Sequence, residues 1–241
     1  MEKHKFDTVF DKGIKKLGLE GDTILKERLW LYMNYLLEEN KKYNLTALNS
    51  EEEIIIKHFL DSLSFFTKYP LSSGMKIINI GTGAGFPGLV LKIFQPDIKM
   101  VLLDSIKKRI NFLNNLVKIL DLTGIDLLHI RAEELGRNEE YREKYDFAVS
   151  RAVAPINILS EYTIPFTVIN GKTIFYKASG YQKELEAGKK AVETMGGELT
   201  ALYTVQIPGI QGERILVEIT KRRATPAKYP RKPGIPKKRP L

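Results

Sequence analysis

The chain has 241 residues, 43% of them hydrophobic, which is enough for one α/β domain with an extension. It contains no cysteine, which excludes disulfides, thiolate metal sites and a cysteine nucleophile. The three histidines lack metal-ligand spacing, so we expect no metal site. Since there is neither a signal peptide nor an apolar run of about 18 residues, we expect a cytoplasmic protein that does not enter a membrane.

The net charge of +9 is concentrated at the C-terminal end of the chain. Residues 221–241 hold nine lysines and arginines and no acid, so the rest of the chain is electrically balanced. Five of the eleven prolines also lie there. We therefore predict that residues 223–241 form an extended, basic, proline-rich tail without a helix. Such a tail favours phosphate-rich partners, and a tail that only aids solubility is the alternative.

Residues 1–73 predict a helical extension. Asp22 is a plausible N-cap of a first long helix, and Ser50 with Glu53 forms a capping box for a second. Between them, residues 41–47 predict a loop with two bases, an aromatic residue and an amide. This mix suits contact with single-stranded RNA, but it also suits a loop over the edge of a core.

His58 and Asp61 lie three positions apart on the second of these helices. Residues with this spacing share a helix face. Catalysis, contact with RNA and an ordinary surface pair all remain open for them.

A glycine-rich turn, Gly81 to Gly88, follows a predicted strand at 75–80 and precedes a predicted helix at 89–94. Glycine permits positive φ and lets backbone N–H groups approach a ligand closely, and Pro87 suits the first helical position. The next strand ends in Asp104, where such folds place a carboxylate on ribose hydroxyls. The pattern predicts a nucleotide-like ligand. A tight structural turn, with Asp104 capping the next helix, is the alternative.

The glycine spacing alone fits two cofactors. Gly83-x-Gly85-x-x-Gly88 satisfies the dinucleotide fingerprint. Gly81-x-Gly83-x-Gly85 satisfies the turn common to S-adenosylmethionine-dependent methyltransferases.

Strands and helices alternate through the remainder of the central region. The predicted strands after Asp104 cover residues 125–130, 145–150, 172–176, 199–206 and 214–220. The last two predict an antiparallel pair, which is typical of the methyltransferase version of the Rossmann-like fold. An NAD-binding protein would normally need a substrate domain of similar size, for which the chain has no room. We therefore predict an α/β domain over residues 74–222, with a seven-stranded, mostly parallel sheet whose last strand is antiparallel.

Three more candidates lie where strands of this sheet end, which is where open parallel sheets bind ligands. Glu133 follows the third strand, and a carboxylate there can accept a hydrogen bond from the amine of an adenine; helix capping is the competing explanation. Arg151 follows the fourth strand and Lys177 the fifth.

Several separate blocks of the sequence, in order, resemble one family. They are Tyr43-Asn44-Leu45-Thr46, Lys57-His58-x-x-Asp61-Ser62, Gly81-Thr82-Gly83-x-Gly85-Phe86-Pro87-Gly88, Leu102-Leu103-Asp104-Ser105, Lys108-Arg109, Ala132-Glu133, Ser150-Arg151-Ala152 and Gly212-Glu213-Arg214. The chain resembles the ribosomal small-subunit RNA methyltransferase G family, also called glucose-inhibited division protein B. The resemblance implies a class I S-adenosylmethionine-dependent methyltransferase.

The resemblance also implies a reaction and a set of site residues. The implied reaction moves a methyl group from S-adenosylmethionine to N7 of one guanine in the decoding-region loop of 16S ribosomal RNA, on the small ribosomal subunit. We expect the protein to be a monomer. The implied cofactor site comprises Gly81, Gly83, Gly85, Phe86, Asp104, Ala132, Glu133 and Arg151, with Arg151 also positioning the reactants. The candidate RNA contacts are Tyr43, Asn44, Lys57, His58, Lys177 and Arg214. Two positions depart from the family pattern, which has Asp where Asn79 stands and Gly where Ala178 stands.

The residue inventory agrees with that reaction. Guanine N7 already presents a lone pair, so its methylation needs positioning and no general base. Methylation at pyrimidine C5 normally needs a cysteine, which is absent. Methylation of exocyclic amines would show an Asn/Asp-Pro-Pro-aromatic run where the sequence is Ser150-Arg151-Ala152-Val153. An NAD-dependent oxidoreductase and a non-catalytic RNA-binding factor are the alternatives.

Overall fold

A seven-stranded sheet runs through the molecule in the computed structural model, which describes residues 1–241. Its strands are β1 (Lys76–Ile80), β2 (Lys99–Asp104), β3 (Ile125–His129), β4 (Tyr145–Arg151), β5 (Thr167–Lys177), β6 (Gly197–Val205) and β7 (Arg214–Lys221). The strand order is β3-β2-β1-β4-β5-β7-β6. Strand β7 pairs antiparallel with both β5 and β6, and every other pair is parallel. The predicted fold is confirmed.

Helices cover both faces of this sheet. They are α1 (Lys3–Lys16), α2 (Thr23–Tyr43), α3 (Glu51–Ile54), α4 (Asp61–Leu63), α5 (Gly88–Phe94), α6 (Lys107–Ile119), α7 (Ala132–Leu135), α8 (Ile156–Thr163), α9 (Tyr181–Thr194) and α10 (Ile235–Lys238). In β1, Ile77 packs into the core on the α2 and α5 side, whereas Ile78 packs on the α7 side. Because side chains alternate along a strand, strands covered on both faces are almost continuously hydrophobic.

The N-terminal helices share their core with the sheet. Phe6 and Leu29 are fully buried in the same cluster as Ile77 and Leu89. The Asp22 side chain accepts a hydrogen bond from the N–H of Leu25 at 2.7 Å, which confirms the predicted N-cap of α2.

Two local predictions in this segment are wrong. Helix α2 continues through Tyr43, so the loop predicted over residues 41–47 starts only at Asn44, which adopts the left-handed conformation that ends the helix. Ser50 precedes α3, but its side chain makes no hydrogen bond to the helix, so the predicted capping box does not form.

The helix predicted after Ser50 is broken into four parts over residues 51–67. Between α3 and α4 lies a π-helical stretch, Ile55–Leu60, and a 3₁₀ turn follows at Ser64–Thr67. The wider π turn shifts the faces of the helix, so Asp61 is only 4% exposed. The interpretation of His58 and Asp61 as an ordinary surface pair is therefore wrong.

The tail, residues 223–241, is not an extended arm. It packs against α8, and the Arg142 guanidinium donates to the Thr225 and Tyr229 carbonyls at 2.6 and 2.8 Å. A short helix, α10, forms despite the prolines, because proline is tolerated in the first turn of a helix. The prediction of a tail without a helix is therefore wrong, and composition could not reveal the carboxylate and arginine partners that hold the tail. No helix of the protein has the length and apolar content needed to span a membrane.

Candidate active site

A cavity of about 1170 Å³ opens at the carboxyl ends of β1 to β5. The following predicted site residues line it: Gly81, Gly83, Phe86, Asp104, Ala132, Glu133, Arg151, Lys57, His58, Lys177 and Arg214. Gly85, Tyr43 and Asn44 lie outside its wall. Sequence segments between residues 57 and 214 are thus brought to one place, as expected at the edge where parallel strands end.

The glycines of the turn have different tasks. Gly83 has φ +60°, and a Cβ there would meet no atom within 4 Å, so its backbone is open to the cavity. Gly85 has φ +108°, and a Cβ there would lie 2.5 Å from the buried hydroxyl of Tyr32. Gly83 therefore permits close approach of a ligand, whereas Gly85 makes room for a side chain of α2.

Most N–H groups of the turn are used within the protein. The N–H of Gly83 donates to Asp104 at 2.9 Å, and those of Gly85 and Phe86 both donate to the Thr82 carbonyl at 2.9 Å. The expectation that these donors face a ligand is wrong for these three. These hydrogen bonds stabilise the turn, and the backbone at Gly83 borders the cavity without a side chain.

Alanine at the two glycines separates these tasks. We expect Gly83→Ala to cost about 1 kcal/mol of unfolding free energy and to weaken binding of S-adenosylhomocysteine, the demethylated form of the expected cofactor, because its methyl enters the cavity. We expect Gly85→Ala to be much more destabilising, since it collides with Tyr32. Denaturant unfolding and calorimetric titration measure both effects. Equal stability losses in the two variants would contradict this division.

Asp104 serves the turn and the next helix together. Its carboxylate is 3% exposed and accepts from Gly83 N–H, from Ile106 N–H at 2.9 Å and from Arg109 at 3.1 Å. Ile106 precedes α6, so Asp104 bonds no backbone N–H group of the helix itself, and the alternative that it caps this helix is wrong. Asp104 also lines the cavity, and a carboxylate offers about four acceptor positions.

Glu133 does not cap α7. It is 3% exposed, and its Oε1 accepts from the N–H of Gly234 in the tail at 3.0 Å. Burial, followed by the nearby Glu133 and Glu161 carboxylates, raises the pKa of Tyr162 to about 12, so this cavity-lining phenol is neutral.

These features fit a nucleoside cofactor. One buried carboxylate, Asp104, ends β2, and another, Glu133, lies in α7 just after the adjacent strand β3, which suits ribose hydroxyls beside an adenine amine. The Thr82 hydroxyl, also in the wall, is buried without a hydrogen-bond partner. A buried polar group normally has a partner, so this hydroxyl is available to a ligand.

Arg151, which also lines the cavity, is the centre of a cluster of polar contacts. Its Nη1 donates to Asp61 Oδ2 at 2.6 Å and to the Lys57 carbonyl at 3.1 Å, and its Nη2 donates to Nδ1 of His58 at 3.0 Å. The guanidinium carbon also lies 5.2 Å from the centre of the Phe86 ring. Of its five N–H donors, three are used here, which leaves two for a ligand.

His58 is a neutral acceptor in this arrangement. Because arginine has no acceptor, Nδ1 of His58 must carry the lone pair and Nε2 the proton, which points to Thr46 Oγ1 at 2.8 Å. Burial and the Arg151 charge lower the pKa of His58 to about 3. The His58 ring stacks on the Phe86 ring at 4.2 Å between centroids, and the Tyr32 ring stacks on the Phe86 ring at 5.3 Å. The helical extension thus supports the glycine turn directly.

A loss of stability at low pH follows from the lowered pKa of His58. The unfolded chain takes up this proton near pH 6.5 and the folded protein only near pH 3, so the unfolded state binds more protons between those values. The free energy of unfolding therefore falls, by up to about 1.4 kcal/mol per pH unit, as the pH drops through that window. Denaturant unfolding from about pH 7 to about pH 4 should show the advantage of wild type over His58→Gln shrinking. A pH-independent difference would refute the assignment.

Asn79, where the family pattern has Asp, has a structural task. It is fully buried, donates to the Val149 carbonyl at 3.1 Å and accepts from Gly88 N–H at 2.9 Å. Its amide therefore joins β1, β4 and the start of α5. A carboxylate could make only the second of these bonds.

The remaining candidate RNA-binding residues differ in how many contacts their side chains make within the protein. Lys177 is tied to Glu184 at 2.6 Å and to the Ala154 carbonyl at 3.1 Å, whereas Arg214 lies 3.4 Å from Asp61. Tyr43 is 42% exposed, and the backbone of Asn44 ends α2.

Sequence reasoning missed several residues in and beneath the cavity wall. Among them are Asp61 as a partner of Arg151, Thr82 and Lys237 in the wall, and Tyr32 beneath the glycine turn. Thr82, inside the glycine motif, carried a local signal. The others depend on contacts between distant segments, which no pattern of spacing shows.

The sheet order, the antiparallel β7 and the cavity at the glycine turn define a class I S-adenosylmethionine-dependent methyltransferase. In agreement, the model of a family described as rRNA small subunit methyltransferase G matches residues 25–214. The chain belongs to this family. Its members depend on S-adenosylmethionine, which confirms the predicted cofactor.

Individual relatives agree. A protein named ribosomal RNA small subunit methyltransferase G from Desulforamulus reducens is 45% identical over 92% of this chain and 91% of its own. One of the same name from a Geobacillus species is 42% identical over the full length of both chains. Among solved structures, the precorrin-6y C5,15-methyltransferase of Geobacter metallireducens matches 66% of this chain and 86% of its own, with a TM-score of 0.50 and 11% identity. At that identity the likeness supports the fold alone.

Proposed function

We propose that this chain methylates N7 of a guanine in the decoding-region loop of 16S ribosomal RNA. The observation that carries the proposal is that the site presents positioning groups and no free general base. His58 uses its lone pair on Arg151, and the Asp61 carboxylate forms ion pairs with the guanidinium groups of Arg151 and Arg214. N7 of guanine needs no proton removed before it attacks, so such a site suits it.

The cavity has a nucleoside end and a reaction end. S-adenosylmethionine supplies an electrophilic methyl group on a sulfonium when it is bound. We assign the ribose hydroxyls to Asp104 and the adenine amine to Glu133, with Ala132 beside it. The open backbone at Gly83 and Gly81, with Phe86, would border the methionine part. These assignments follow the family resemblance, and they are supported by the position of all these residues in the wall of one cavity at the strand ends.

Arg151 would position the reactants. Its contacts to Asp61 and His58 fix the guanidinium in one orientation, and its two unused N–H donors can bind a carboxylate or the O6 of a guanine. Because the guanidinium of Arg151 is already oriented before the reaction, it does not have to reorient as the charge distribution of the reactants changes.

The RNA would reach the cavity across a basic rim. The cavity wall contains the basic side chains of Lys57, Lys177, Arg214 and Lys237. Tyr43 is exposed and can stack on a base of the RNA. We place the reaction in the cytoplasm, on the small ribosomal subunit, with a monomer as the acting form. Neither an NAD-dependent oxidoreductase nor a non-catalytic RNA-binding factor is favoured by the comparisons.

The atom that is methylated can be tested by replacing N7 with C–H. Small subunits are reconstituted with 16S RNA transcribed with 7-deazaguanosine, and parallel subunits carry 7-deazaadenosine as a control for folding of the RNA. We expect labelled methyl transfer to the control and none to the 7-deazaguanosine subunits. Equal transfer to both would show that another atom is the acceptor.

A further inference from the structure

The tail forms part of the cavity wall at its nucleoside end. Lys237 lines the cavity, and the N–H of Gly234 donates to Oε1 of Glu133 at 3.0 Å. A segment at the end of the chain therefore bonds to a buried carboxylate that follows β3. A hydrogen bond from N–H to an ionised carboxylate is among the stronger ones in proteins.

The tail is held there by a separate anchor. Glu161, fully buried on α8 and outside the cavity wall, accepts from Arg231 through its backbone N–H at 2.5 Å, its Nε at 3.0 Å and its Nη2 at 2.7 Å. Arg137 adds a bond to the Pro230 carbonyl at 2.7 Å. A buried carboxylate with this many bonds to one arginine fixes the chain just before Gly234.

The backbone at Gly234 is shaped for its contact. Its φ is +81°, a left-handed conformation that favours glycine, and α10 begins at the next residue. The bond engages Oε1 of Glu133 and so fixes the direction of Oε2. A Glu side chain otherwise has three rotatable bonds, whose freedom a ligand would have to remove on binding.

We propose that the tail is a positioning element of the cofactor site, in which Gly234 holds the Glu133 carboxylate ready for the amine of the adenine. This inference rests on the proposed function, since it assumes a nucleoside cofactor in the cavity. It assigns the tail a task other than general attraction of RNA. The charge of the tail and its contact to Glu133 are then separable.

Truncation and charge removal separate them. A chain that ends at Lys232 keeps the Arg231–Glu161 anchor but loses Gly234 and three cations. A full-length chain carrying Lys228→Gln, Lys232→Gln and Lys238→Gln loses three exposed cations and keeps the contact. We expect calorimetry to show about ten-fold weaker binding of S-adenosylhomocysteine to the truncated chain and unchanged binding to the triple variant. Equal affinity in wild type and truncated chain would overturn the inference.

A double-variant cycle tests whether the tail acts through Glu133. In the Glu133→Ala background, truncation should weaken S-adenosylhomocysteine binding no further, because its target is gone. Fully additive losses would show that the tail acts elsewhere. In a titration with S-adenosylmethionine, the truncated enzyme should retain its kcat, and its KM for S-adenosylmethionine should rise. A fall in kcat alone would count against positioning of the cofactor.

Hydrogen exchange on the full-length protein gives a readout that needs no folding of a truncated chain. By reciprocity, S-adenosylhomocysteine should slow exchange of the Gly234 amide in wild type and not in Glu133→Ala. Unaltered exchange on saturation would overturn the inference. Absence of any S-adenosylhomocysteine binding by wild type would instead refute the proposed function, so the two failures are distinguishable.

Discussion

Arg151→Ala is expected to lower kcat/KM for methyl transfer by about 10²- to 10³-fold, the cost of removing one prepared hydrogen-bonding group from a reaction site. It is also expected to lower the free energy of unfolding by about 3–5 kcal/mol, because Asp61 is left as an uncompensated buried carboxylate. The Arg214 guanidinium, 3.4 Å from Asp61, offsets part of that cost. Single-turnover kinetics and denaturant unfolding measure the two effects.

The two losses can be separated by removing both charges. In Arg151→Leu combined with Asp61→Leu, no buried charge is stranded, so we expect most of the stability to return. The activity should not return, since the donors of Arg151 are still missing. Recovery of activity together with stability would show that Arg151 acts only as a structural partner of Asp61.

Loss of either cavity carboxylate is expected to weaken S-adenosylhomocysteine binding by about 10- to 100-fold, the range for hydrogen bonds to a charged group. Asp104→Asn is the more conservative change at its position, because Asn has the same shape and keeps an acceptor for one of the two N–H groups, Gly83 and Ile106, which bond to different oxygens of Asp104. Glu133→Ala is compared with Glu134→Ala, whose exposed side chain is next in sequence but lies outside the cavity wall.

Calorimetric titration of the folded variants with S-adenosylhomocysteine tests this prediction. Glu134→Ala should bind like wild type, and the fold of all three variants should be retained. Wild-type affinity in both Asp104→Asn and Glu133→Ala would remove the nucleoside assignment for this end of the cavity.

Local patterns predicted the framework of the site well. The hydrophobic run of β1, the glycine turn and Asp104 follow one another in sequence, and each has a physical cause that acts over a few residues. Strand ends then converge by topology alone, which is why Glu133, Arg151 and Lys177 could be placed at one edge.

Contacts between distant segments could not be predicted in this way. The burial of Asp61 depends on a π turn and on an arginine 90 residues further along the chain. The packing of the tail depends on Glu161, 70 residues before Arg231, and nine uniformly signed charges gave no indication of that partner. In both cases a buried carboxylate determines where a basic residue lies.

The most direct test of the central claim is transfer of labelled methyl from S-adenosylmethionine to small ribosomal subunits that lack this modification, followed by nucleoside analysis. Naked 16S RNA serves as the parallel substrate. We predict that the label is recovered as 7-methylguanosine. Label in any other nucleoside, or no transfer to either substrate by an enzyme that binds S-adenosylhomocysteine, would contradict the proposed reaction.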